Sequence, residues 1–161
     1  WSDAGASSLC EMLMSLSEAL QSGLLDQQIA TAVLTGIVAA TDRFRNEHTT
    51  PRVMTMAAQL MALPGVVKAG FGLGDDRKRI LHKLGVEPVG VLELNHVFRE
   101  RGYRKDMGVK GAVAVLFHQR FIKSKKAATS NWAAPRLTEA QLVYAANDAY
   151  AAIRVYDALG L

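Results

Sequence analysis

Tyr144-Ala145-Ala146-Asn147-Asp148-Ala149-Tyr150 decides how this chain is read. The stretch lies in a long helical pattern, opened by Thr138 with Gln141 three residues on, a capping-box spacing. Tyr144 and Asp148 stand four residues apart, which puts a phenol and a carboxylate on one helix face. Working back from it, Lys123 to Arg136 reads as a basic, mostly irregular loop. Asn95 to Arg101 and Val109 to Gln119 read as helices, and Val89 to Leu94 as a short strand. Asp75 to Leu84 reads as a helix, and Val66 to Gly72 as a strand ending in glycines.

The first sixty residues carry a different pattern. Ser8 with Glu11 resembles a capping box, and Leu9, Met12, Leu13, Leu16 and Leu20 form an apolar stripe at helical spacing. Asp26 caps a second helix with Ile29, Ala30, Val33, Leu34 and Ile37 on its face. Thr50-Pro51 opens a third, through about Leu63. The expected architecture is a mostly helical α/β chain: a three-helix segment, residues 1–63, packed with a part, residues 64–161, that holds a small parallel sheet of about two strands. So small a sheet leaves an unpaired strand edge, from which self-association, as a homodimer, is expected.

Composition narrows the classes. The chain has 161 residues, 50% of them hydrophobic, and a net charge of +4. Residues 1–63 hold three arginines against six acids, whereas residues 64–161 hold sixteen Lys/Arg against nine acids. That asymmetry points to a polyanion-facing C-terminal part. Cys10 is the one cysteine, which excludes an internal disulfide framework and fits a reducing, cytoplasmic setting. No apolar run is long enough to span a bilayer, so no membrane partner is expected. The N-terminus lacks the pattern of a signal peptide, and it starts at Trp1 rather than Met, as a trimmed chain would.

Asp76 follows an apolar run and three glycines. An acid after a strand, with a Tyr/Asp pair on a late helix, is part of a two-metal phosphodiester-cleaving site. Such sites hold two cations about 3.5–4 Å apart across the phosphate, and hard oxygen ligands suit Mg²⁺ or Mn²⁺. On spacing alone, a capping Asp76 and a solvated Asp148 are the simpler reading. Lys123, Lys125, Lys126 and Arg136, with Trp132 nearby, could bind a nucleic-acid backbone and stack a base, and Arg77, Lys78 and Arg79 could extend the patch. Gly70, Gly72 and Gly74 with Glu93 imitate a dinucleotide fingerprint, but Asp75 stands where the third glycine belongs. His48, His82, His96 and His118 show no ligand spacing.

From Val66 onward the chain resembles the second half of DEDDy-type 3′–5′ exonuclease domains, the ribonuclease D and Werner exonuclease family. The resemblance rests on VVKAGFGLGDDRKRIL (66–81), KSKKAATSNW (123–132) and LTEAQLVYAANDAYAAIRVYDAL (137–159). It implies a partial ribonuclease H-like fold and metal-dependent hydrolysis from nucleic-acid 3′ ends. Asp76 and Asp148 match metal-binding acids, and Tyr144 matches the tyrosine that positions the attacking water. Ser130-Asn131-Trp132 resembles a family signature. The family's Asp-x-Glu motif occurs nowhere in these residues, which implies an inactive or very weak chain. Residues 5–62 are similar to a helical fragment of Asp-His-His phosphoesterases, with Ala40 where that family has a metal-binding acid. The alternatives are a recombined or engineered chimera without selected activity and a nucleic-acid-binding module without catalysis.

Overall fold

The structure, a computed structural model, describes residues 5–6, 8–20 and 23–161; Trp1 lies outside them. Each N-terminal helix starts on a side-chain cap. Ser8 Oγ accepts the Glu11 N–H at 3.2 Å and opens α1, Leu9–Leu20. Asp26 accepts the Ile29 N–H at 2.8 Å and opens α2, Gln27–Ala40. Thr50 accepts the Val53 N–H at 3.2 Å, with Pro51 first in α3, Pro51–Ala62. These caps satisfy N–H groups that have no partner inside the helix.

α2 ends in an unusual turn. Asp42, Arg43 and Phe44 all have positive φ, 44°, 63° and 60°, which costs free energy for residues bearing a Cβ. Buried Thr41 anchors the turn: its hydroxyl donates to the Ile37 carbonyl at 2.7 Å and accepts the Phe44 N–H at 3.1 Å.

The core of this region joins Met14, Ala30, Val33, Ile37, Val53, Met56, Leu60 and Val66. One expectation fails here. The leucine stripe of α1 is not its buried face: Leu9, Leu13, Leu16 and Leu20 are all exposed, while Glu11 and Met14 are buried. The cause is close helix approach. Gly36 of α2 has no room for a Cβ because Cys10 of α1 fills the space. α1 therefore turns the side bearing Cys10, Glu11 and Met14 inward, and buried Glu11 meets Arg52 at 3.3 Å.

After α3 come β1, Lys68–Gly70, α4, Gly74–Leu84, and β2, Val91–Glu93, the strands pairing as a two-stranded parallel sheet. Both strands are shorter than their apolar runs. The flanking residues bond elsewhere: the Val89 N–H donates to the Met61 carbonyl at 3.1 Å. Gly90 is required by geometry. Its φ is 71°, and a Cβ there would lie 2.9 Å from the Val66 carbonyl oxygen.

Four further helices follow: α5, Leu94–Glu100; α6, Gly108–Phe117; α7, Lys125–Ala128; and α8, Glu139–Ala158. α7 is one helical turn within the stretch expected to be irregular, capped by Ser124. Leu94, Val97, Phe98, Val109, Ala112, Val113, Ala151, Ala152, Val155 and Leu159 form a second core. Phe98, 1% exposed, meets the Tyr103 ring edge-on at 5.5 Å. Burying one such side chain contributes roughly 1.5–3 kcal/mol.

The chain forms two compact units. One holds the described residues up to Lys68 together with Gly74–Val91; the other holds Ala69–Leu73 and Leu92–Leu161. The units cut the chain differently from a boundary at 63/64, because α4 packs against α3. The architecture is the expected one, mostly helical with a small parallel sheet. No helix among the described residues is long and apolar enough to cross a membrane.

Candidate active site

α8 begins with a complete capping box. Gln141 accepts the Thr138 N–H at 2.9 Å, and Thr138 Oγ1 accepts the Gln141 N–H at 3.4 Å. Gln141 does more than cap. Although only 4% exposed, it donates through Nε2 to Ser130 Oγ at 2.9 Å and to the Asn131 carbonyl at 3.1 Å. One buried amide thereby clasps the Ser130-Asn131 segment to the first turn of α8. Trp132, next in the chain, donates to the Ala128 carbonyl at 3.3 Å, and its ring centroid lies 5.7 Å from that of Tyr144.

One turn beyond Tyr144, Asp148 meets a cation. Lys123 Nζ lies 2.7 Å from Asp148 Oδ2 and 5.1 Å from the Tyr144 ring centroid. Burial alone pulls the Lys123 ammonium down, but its hydrogen bonds and charge interactions with Asp148 and Tyr144 outweigh burial and hold it above the ordinary lysine value. The second carboxylate oxygen, Asp148 Oδ1, is buried without a hydrogen-bond partner. Lys123, Tyr144, Asn147 and Asp148 line a pocket of about 140 Å³, with Phe121 and Val143 among its apolar walls.

Lys123, Trp132, Tyr144 and Asp148 are thus brought together. Asn131 serves its own turn, its side chain accepting the Ala133 N–H at 2.9 Å while its carbonyl meets Gln141. Lys125 and Lys126 are exposed on α7. Asp76 belongs to the other unit, exposed in the first turn of α4, a helix with no buried residue. There Arg77 pairs with Glu87, and Lys78 lies 3.6 Å from Asp75. The dinucleotide imitation has a structural explanation. Glu93 accepts the N–H groups of Gly72 at 3.0 Å, Leu73 at 2.9 Å and Asn95 at 3.1 Å, so its carboxylate closes the glycine loop.

Two features escaped the sequence reading. The pairing of Lys123 with Asp148, twenty-five positions apart, has no local signal. The clasp of Gln141 had a visible half, its capping-box position, and a hidden half, its reach to residues 130 and 131.

A buried carboxylate oxygen without a partner is a hard donor suited to Mg²⁺ or Mn²⁺. It is one ligand. Among the described residues no three His, Cys, Asp or Glu side chains gather to hold a metal ion. The residues present therefore fit part of a divalent-cation site and not a complete one.

A carboxylate and a phenol share one helix face, with an ammonium against them and an indole tilted beside the phenol. A family model described as 3′–5′ exonuclease matches residues 13–161, and the chain belongs to that family. Over 102 residues it is 32% identical to the bifunctional 3′–5′ exonuclease/ATP-dependent helicase WRN of Mus musculus, covering 63% of this chain and 7% of that protein. Over 95 residues it is 30% identical to a 3′–5′ exonuclease of Arabidopsis thaliana, covering 58% of this chain and 33% of that protein. It therefore spans a minor part of either relative. Among solved structures, the EXD2 exonuclease domain soaked in Mn and Mg is 26% identical, with 72% of this chain and 58% of that chain covered and a TM-score of 0.31. The family match begins inside α1, and nothing among these likenesses points to a phosphoesterase.

Proposed function

We propose that this chain carries part of a metal-dependent 3′–5′ exonuclease centre, with Tyr144, Asp148 and Lys123 at its heart. The carrying observation is the asymmetric state of the Asp148 carboxylate. One oxygen is held by Lys123, and the other is buried without a partner, in a residue that lines the same pocket as Tyr144. Asp148 would hold a divalent cation through the free oxygen. A bound Mg²⁺ or Mn²⁺ supplies an acidified water and stabilises charge on the phosphate. The Tyr144 phenol would orient that water by hydrogen bonding. Lys123 would set the direction of the Asp148 carboxylate, and Trp132 would offer a stacking face to the terminal base.

The chain's residues contain no Asp-x-Glu, so the proposed activity is slow. The test incubates a 5′-labelled single-stranded oligonucleotide with the protein and Mn²⁺. The expected result is slow one-nucleotide shortening from the 3′ end, releasing nucleoside monophosphates. Shortening from the 5′ end, or none that depends on Mn²⁺, would overturn the proposal. The family match extends across α1 to α3, which favours an exonuclease-derived chain over a chimera without selected activity.

A further inference from the structure

Beside the Asp148 pocket lies a second, larger cleft of about 650 Å³, within the ~300–1,000 Å³ common for ligand sites. α6 supplies one wall, through Lys110 and Ala114, which lie one turn apart on a single helix face. His118 ends α6 in the left-handed conformation, φ 53°, donating its N–H to the Ala114 carbonyl at 3.1 Å. The chain turns there and returns along the cleft as Arg120, Phe121, Ile122 and Lys123.

The chemistry of this lining is specific. It carries three permanent cations, Lys110, Arg120 and Lys123, with His118, and no carboxylate. Lys123 is already engaged by Asp148. Among the described residues neither Lys110 nor Arg120 forms an ion pair, whereas Arg77, Lys78 and Arg99 each have an acid partner. Unpaired cations in a concave wall attract an anion without first giving up a partner. Ile122 is 77% exposed at the same wall, beside the Phe121 ring. Phosphate-seeking cations beside exposed apolar surface are what a single strand, charged along its backbone and flat in its bases, requires.

Continuity gives the direction. Phe121, Ile122 and Lys123 line both this cleft and the Asp148 pocket. We propose that the Lys110–Arg120 cleft binds the sugar–phosphate backbone of a single-stranded nucleic acid on the 5′ side of the bond presented to Asp148. The proposal rests on the exonuclease reading above for the polarity of the strand. The cleft itself requires only that the strand bind.

The test measures fluorescence anisotropy of labelled single-stranded DNA in EDTA, between 50 and 200 mM NaCl. It uses the full chain, a Lys110→Glu/Arg120→Glu variant and a charge-keeping Lys110→Arg/Arg120→Lys variant. A ten-nucleotide strand should bind the charge-reversed variant at least tenfold more weakly, with a salt slope shallower by about 1.4, at ~0.7 for each phosphate no longer neutralised. The charge-keeping variant should bind as the parent does, a dinucleotide should not distinguish the three, and all three should melt alike by circular dichroism. Unchanged binding of the ten-nucleotide strand by the charge-reversed variant would overturn the cleft. So would equal weakening for the dinucleotide. Because no metal is present, failure of the exonuclease reading appears elsewhere, as absent Mn²⁺-dependent shortening while these binding differences persist.

Discussion

Asp148 and Asp76 are both acids on helices, and they stand in opposite circumstances. Asp148 sits in a pocket, one oxygen on an ammonium at 2.7 Å and the other buried without a partner. Asp76 stands exposed in the first turn of a helix that buries none of its residues. A carboxylate at a helix N-terminus is already favoured by the helix dipole, so Asp76 needs no further role to be explained. A buried carboxylate oxygen without a partner does need one, because a missing partner is costly away from water. The same residue type is chemically informative only through what surrounds it.

Lysines repeat the contrast. Lys68, in the first unit, is lowered from its ordinary value by burial and donates to the Leu63 carbonyl at 2.7 Å. Lys123, in the second, is pulled down by burial and then raised beyond its ordinary value by Asp148 and Tyr144. A carboxylate and a phenol reverse the sign.

The contrast can be broken at several points. The largest expected effect is on the core beneath the site: Phe98→Ala should destabilise by ~3–5 kcal/mol, whereas Leu13→Ala, on the exposed leucine stripe, should stay within about 0.5 kcal/mol. Urea unfolding of both variants checks this, and equal losses would contradict the assignment of buried faces. Next, Gln141→Ala should cost roughly 1–3 kcal/mol, by leaving Thr138, Ser130 and Asn131 without their shared partner, and should alter Trp132 fluorescence. An unchanged emission spectrum would deny the clasp. Asp76→Ala should move stability by no more than about 0.5 kcal/mol, and a larger loss would mean α4 depends on it.

The smallest effects are the pH responses. Lys123 is raised, so its contribution is complete below the unfolded lysine value near 10.5 and is lost as pH rises through its folded value. Lys68 is lowered, so its penalty is present at neutral pH and is relieved as pH rises towards 10.5. Urea midpoints between pH 8 and 11 should therefore fall less steeply for Lys123→Met than for the parent, and rise less for Lys68→Met. Parallel curves would remove both assignments.

Much of this was legible in the sequence. Caps at Ser8, Asp26, Thr50 and Thr138 act within three residues, so they can be read directly. The face shared by Tyr144 and Asp148 follows from helical periodicity. What was not legible depends on distant neighbours. The leucine stripe of α1 has a core-like pattern, yet Gly36 draws in the side bearing Cys10 instead. Glu93 completes an imitation of a dinucleotide fingerprint and is a loop closure. Lys123 reads as a nucleic-acid-binding residue of a basic loop, and only the folded chain sets it against Asp148. Arg120 and Lys110 carry no local signal, since concavity is not written in spacing.

The most direct measurement is the rate of nucleoside monophosphate release from a single-stranded oligonucleotide with Mn²⁺, compared between the parent chain and Asp148→Asn. The account predicts slow release in the parent and a loss of at least ~100-fold in Asp148→Asn, with both proteins folded by circular dichroism at the assay temperature. Equal release by the two proteins would contradict it.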